Sequence, residues 1–173
     1  MRFSDQHRVF TGFATAQRFE HELANQIART SGPTGCALLR IDVGARFEEP
    51  QIAAVAQDLR RRLRTSDLVT RTDRREFAVL LHHMDRGHAI LVADALLDAI
   101  HSLAMARWQI PSSASIGLAI STDVMQLDAD LVAQAAGLAM NEAKRSPYDR
   151  LAVFDPRRHE LGRNTAAARA VAA

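Results

Sequence analysis

Two short strand-like segments, residues 67–72 and 76–82, separated by three polar residues set the strongest constraint on this 173-residue chain. Leu68-Val69-Thr70 and Phe77-Ala78-Val79-Leu80-Leu81 are dominated by β-branched and large apolar residues, and Asp73-Arg74-Arg75 lies between them. So short a connection predicts an antiparallel hairpin over residues 67–72 and 76–82. The rest of the chain alternates. Phe19, Leu23 and Ile27 recur four apart, one stripe of a helix that Ser31-Gly32-Pro33 ends. Residues 35–43 read as a buried strand, and Pro50 opens a second helix through Ile52, Val55, Ala56, Leu59 and Leu63. A helix over residues 87–103 follows the hairpin, through Ile90, Leu91, Ala93, Leu96, Leu97 and Ile100. Residues 108–120 are strand-like, centred on Ser115-Ile116-Gly117-Leu118-Ala119-Ile120; residues 128–144 form an Ala-rich helix, and 151–154 a closing strand. The order α-β-α-β-β-α-β-α-β predicts an α/β (α+β) domain with a mixed central sheet of about five strands covered by helices. Residues 156–173 hold little that could pack and read as a tail or short terminal helix.

The hairpin carries a local conflict. Tight two-residue turns favour Gly or Asn, and Arg74-Arg75 supplies neither. Those arginines belong to a cluster: the net charge is only +2, yet Arg60, Arg61, Arg62, Arg64, Arg71, Arg74 and Arg75 fall close together. Such a cluster either attracts phosphates or forms a solvated helix face with its loop. A nucleic-acid surface is not expected, because no aromatic residue lies between Phe47 and Phe77 to stack on bases. The single cysteine, Cys36, excludes an internal disulfide, and its apolar neighbours mark it as a small buried hydrophobe. His82 and His83 alternate across a strand and so do not read, with His88, as a metal site. Ser115 lacks any nucleophile elbow. No metal or cofactor is expected. No apolar run approaches the roughly 18–20 residues of a membrane helix, and no signal peptide opens the sequence, so the expected setting is cytoplasmic.

The segment from Arg64 through Asp67 to Leu81 resembles the signature region of the GGDEF family, the diguanylate cyclases, in which an RxxD pair precedes a hairpin tipped by Gly-Gly-Asp/Glu-Glu-Phe. Supporting segments follow in family order. Thr11-Gly12-Phe13 with Arg18-Phe19 resembles TGLxNRxxF, residues 37–42 resemble the first strand, Ser115-Ile116-Gly117 the SIG strand, and Ala143-Lys144 with Val153-Phe154-Asp155 the closing AK…VFD. The resemblance spans residues 10–155 and implies a degenerate GGDEF domain over 1–155.

Departures from the family pattern set the functional expectation. Diguanylate cyclases condense two GTP molecules with metal ions held by a first-strand carboxylate and by the third residue of the tip. The first carboxylate survives as Asp42, but the tip reads Asp73-Arg74-Arg75-Glu76-Phe77, so Arg75 stands where the second belongs. A guanidinium there would repel a cation. Asp73 and Arg74 replace the two glycines that let backbone approach a triphosphate. Residues 43–50 are also too short to hold the family's guanine-recognising stretch. Asp42 then reads as a remnant, Glu76 as a remnant or a salt-bridge partner, and Lys144 as either a phosphate contact or a lysine favoured by its helix end. Arg64 and Asp67 keep the family spacing of a site that binds cyclic di-GMP: arginine offers a planar fork to phosphate or guanine, and aspartate accepts from guanine N–H groups. The same pair also fits a helix C-terminus followed by a turn. The family's second arginine would fall near Ala95, which leaves Arg71 or Arg74 as a further donor. The expectation is a catalytically inactive domain that receives cyclic di-GMP and engages a protein partner or a second copy. The alternative is a protein-interaction or dimerisation scaffold without a nucleotide.

Overall fold

In the computed structural model, described over residues 12–30, 32, 34–124, 128–147, 150–159 and 161, the elements follow the predicted order. They are α1 (Ala16–Ala28), β1 (Gly35–Asp42), α2 (Glu49–Arg62), β2 (Leu68–Asp73), β3 (Glu76–Met84), α3 (Arg86–Trp108), β4 (Ser115–Ile120), α4 (Ala129–Arg145) and β5 (Leu151–Val153). Thr11 of the N-terminal motif and the tail beyond 161 lie outside the described residues.

Local chemistry starts each helix. The Thr15 hydroxyl accepts from the Arg18 N–H at 3.2 Å, Asp85 accepts from the His88 N–H at 2.9 Å, and Asp128 accepts from the Asp130 N–H at 2.7 Å. Pro50 occupies the first turn of α2, and the Glu48 N–H donates to the Gln51 side chain at 2.8 Å. Helix α3 runs past the predicted 103 to Trp108, where Gln109 takes a left-handed cap at φ 55°. The strand expected from 108 therefore begins only at Ser115. The apolar pattern carries on through Leu103 and Ala104, both packed on the core, and a left-handed residue rather than a glycine or proline ends the helix. By length and composition α3 could cross a bilayer; here Ala89, Ala93, Leu96, Leu97, Ile100 and Ala104 are buried in the core.

The five strands are ordered β2-β3-β1-β4-β5, antiparallel except for the parallel pair β4 and β5. Alternation along the strands splits the core in two. Ala37, Leu39, Ile41, Phe77, Val79, Leu81, Ile116 and Leu118 pack with residues of α2 and α3, whereas Cys36, Leu38, Ala78, Leu80 and Ala119 pack with residues of α1 and α4. Gly117 sets the α4 distance: a Cβ there would meet the Met140 nitrogen at 2.1 Å and the Ala136 oxygen at 2.3 Å.

A single side chain resolves the conflict at the hairpin. Arg74 and Arg75 form a two-residue turn closed by the pair Asp73 and Glu76, and among the described non-glycine residues only His83 and Gln109 have positive φ. The turn is therefore not of the primed type. Its carbonyls are held from below by Arg71, whose guanidinium donates to the Asp73 oxygen at 3.2 Å and to the Arg74 oxygen, while forking onto Glu49 at 2.6 and 2.9 Å. The Arg74 N–H donates to the Asp73 carboxylate at 2.6 Å. Buried guanidinium chemistry replaces glycine.

Candidate functional site

Register brings the remnant carboxylates together. Asp42 lies opposite Glu76 across β1 and β3, and Arg40 opposite Gly117 across β1 and β4. Arg40, Asp42 and Glu76 share the sheet face that α4 covers, and Lys144 comes down onto them from the last turn of that helix. The Lys144 ammonium is 2.5 Å from Asp42 Oδ2 and 3.2 Å from Glu76 Oε1. The second Glu76 oxygen accepts from Arg40 at 2.6 Å, and Asp42 Oδ1 accepts from the Gly44 N–H at 2.6 Å. Burial pushes the Lys144 ammonium down, but the Asp42 hydrogen bond and the charges of Asp42 and Glu76 outweigh it and raise its pKa.

This donor set does not fit a divalent cation. All four carboxylate oxygens of Asp42 and Glu76 have protein donors, two of them the same ammonium. Arg75, at the position of the second family carboxylate, contributes a guanidinium whose buried Nε has no hydrogen-bond partner among the described residues, and its carbonyl accepts from the Val43 N–H at 3.0 Å. Among the described residues no cluster of three His, Cys, Asp or Glu side chains could hold a metal. Phe77 is fully buried, edge-on to Phe13 with ring centres 5.9 Å apart. It anchors the tip to the core.

The RxxD residues form a separate locus at the entry to β2. Asp67 is only 3% exposed. Its Oδ2 accepts from the Arg64 N–H at 3.1 Å and its Oδ1 from the His82 N–H at 3.3 Å, and the Asp67 N–H returns to the Arg64 oxygen at 3.2 Å. Burial raises the Asp67 pKa, yet hydrogen bonds from His82 and from the Arg64 backbone more than offset that and keep it below its ordinary value. Arg64 is exposed, beside Arg60, whose guanidinium donates to the Arg64 carbonyl at 3.1 Å. Arg61 and Arg62 both pair with Asp58. The structure thus presents Arg64 outward and turns the Asp67 carboxylate inward. Arg71, a candidate further donor, is buried and committed to Glu49 and the turn; Arg74 remains exposed at the tip, 3.8 Å from Glu48. Arg71 is not placed as a ligand donor.

Sequence reasoning missed two participants. Arg40 sits on the central strand among apolar residues, a polarity break that could have marked it. His82, 9% exposed, places Nε2 3.3 Å from Glu22 of α1 and Nδ1 3.8 Å from Asp67. No spacing in the sequence links residues 22, 67 and 82.

The diguanylate cyclase GGDEF domain model matches residues 6–150. Among solved structures, the chain is similar to the GGDEF domain of TpbB (YfiN) from Pseudomonas aeruginosa, with 26% identity, a TM-score of 0.64, and 87% of this chain and 95% of that one covered. It is also similar to the GGDEF domain of DgcB from Caulobacter crescentus in complex with c-di-GMP (19% identity, TM-score 0.65, covering 89% and 98%). A third is the diguanylate cyclase SiaD in complex with its activator SiaC from Pseudomonas aeruginosa (19% identity, TM-score 0.62, covering 79% and 57%). No curated protein sequence matches. With the mixed sheet, the hairpin and the family model in agreement over most of its length, this chain belongs to the GGDEF domain family.

Proposed function

We propose that this domain is a catalytically inactive regulatory module of cyclic di-GMP signalling, which receives the dinucleotide at Arg64 instead of making it. The observation that carries the first half is the Lys144 ammonium held between Asp42 and Glu76. An internal cation takes the place a cyclase gives to metal, and Arg75 adds positive charge where a second carboxylate is needed. The second half rests on Arg64, an exposed guanidinium beside Arg60 at the C-terminal end of α2, whose planar fork suits a phosphate or the guanine edge. DgcB, a GGDEF relative, was solved with c-di-GMP. In this reading Asp67 holds the turn that presents Arg64 and does not itself touch the ligand.

A scaffold without a nucleotide is the second reading, and the inward, fully engaged carboxylate of Asp67 favours it. SiaD, a GGDEF-family cyclase, was solved with a protein activator. Isothermal titration with cyclic di-GMP separates the two. Saturable heat in the wild type that disappears in Arg64→Ala supports the receptor. No heat at protein concentrations of tens of micromolar removes it and leaves the scaffold.

A further inference from the structure

His82 is built into the protein as a link between three elements. It lies on β3 where the β1 pairing is irregular: Gly35 faces Met84 and Ala37 faces Leu81, so Cys36 opposes both His82 and His83. His83 absorbs the extra residue at φ 51° and is exposed. His82 keeps the parity of Ala78 and Leu80 and points to the α1 side of the sheet, 9% exposed. There its two ring nitrogens face two carboxylates, Nε2 toward Glu22 at 3.3 Å and Nδ1 toward Asp67 at 3.8 Å. A neutral imidazole donates from one nitrogen only, so its lone pair would face a carboxylate in either tautomer. Imidazolium alone presents an N–H to both. The buried Nδ1 has no hydrogen-bond partner among the described residues, so the Asp67 charge is its principal neighbour.

We propose that His82 is a proton-operated strap: as imidazolium it ties α1, through Glu22, to the turn that carries Arg64 and Asp67, and on losing its proton it loosens that tie.

The surrounding charges agree. On α1, Glu22 is kept ionised by the Gln26 amide, which donates to it at 2.7 Å, with Arg29 adding to that effect. On β1, the Cys36 thiol is pushed up by burial and carries no charge. At the turn, Asp67 is held ionised by its His82 and Arg64 contacts, which outweigh its burial. Asp67 above all, with Glu22, raises the His82 pKa against the opposing effect of burial. A raised pKa means that this contribution to stability is complete below the ordinary histidine value and is lost as pH rises through the value in the folded protein. The proposal holds whether or not Arg64 takes a dinucleotide.

The test is an NMR titration of the histidine rings in the wild type and in Glu22→Gln, with thermal unfolding of the wild type and His82→Gln at about pH 5.5 and about pH 8.5. Expected are a His82 midpoint above the ordinary histidine range, a downward shift in Glu22→Gln, and a His82→Gln loss in melting temperature that is larger at the acid pH. Glu22 is partly exposed, so its conservative variant reports even where His82→Gln fails to fold. A His82 midpoint at or below the ordinary value, or one that Glu22→Gln leaves unmoved, would overturn the strap.

Discussion

The Lys144 ammonium, at the end of α4, stands 2.5 Å from the carboxylate of Asp42, at the end of β1, and reaches Glu76 at 3.2 Å as well. A helix C-terminus favours a cation, and two cross-strand carboxylates need one between them. The pairing closes the corner of the sheet where other members of the family are read to hold metal.

Replacing Lys144 by Met leaves Asp42 and Glu76 facing each other with like charge. The pair is partly exposed, so the expected loss is modest, about 1 kcal/mol in urea unfolding at neutral pH. Because the Lys144 pKa is raised, the wild-type advantage is present throughout the neutral range and closes only in strongly alkaline solution. An unchanged or increased stability would show that the ammonium is a bystander.

Arg71 carries more. Its side chain is 4% exposed and bonds Glu49 and the carbonyls of Asp73 and Arg74. Arg71→Ala is expected to cost about 2 kcal/mol, because it removes a buried side chain together with its hydrogen bonds to the turn and its ion pair with a half-exposed carboxylate. Glu49→Gln, at a half-exposed partner, costs less than half of that. Equal losses in the two variants would contradict this assignment of the hairpin's support.

Much of this was legible in the sequence. Residues four apart reported the buried face of the helices directly, and short apolar runs bounded by polar or turn residues located the strands, apart from the start of β4. The hairpin followed from its short polar connection. Partners of individual side chains were not legible: Asp42, Glu76 and Lys144 meet only once the register and the α4 packing are set, and Arg71 replaces glycine at the turn by reaching along the strand. The alternative at Lys144 was visible as two readings of one residue, and neither included a bridge between Asp42 and Glu76. The RxxD spacing pointed to Arg64 and Asp67 together, and only the fold separates an outward arginine from an inward aspartate. The C-terminal end of α3 was misplaced because Gln109, not glycine, takes the left-handed cap.

Gly117 tests the packing of α4 on the sheet. An alanine methyl would sit 2.1 Å from the Met140 nitrogen and 2.3 Å from the Ala136 oxygen, both backbone atoms that cannot rotate away. Gly117→Ala is expected to lose at least about 3 kcal/mol, or to fail to fold, in chemical denaturation. A loss below about 1 kcal/mol would mean that α4 shifts freely.

Asp67→Asn should weaken the protein near neutral pH by about 1–3 kcal/mol, since the amide cannot accept from both the Arg64 and His82 N–H groups as the carboxylate does. The folded-state pKa of Asp67 is lowered, so its contribution is present above the ordinary aspartate range and lost as the pH falls through the folded value. The gap between wild type and variant therefore narrows in acid. A gap independent of pH would contradict the hydrogen-bonding role.

The central claim is that the closed carboxylate corner leaves the domain without cyclase activity. Purified protein incubated with GTP and Mg²⁺, with cyclic di-GMP measured by chromatography, tests it most directly. The account predicts no product above a protein-free control. Cyclic di-GMP that accumulates with protein concentration and disappears in Asp42→Ala would contradict it.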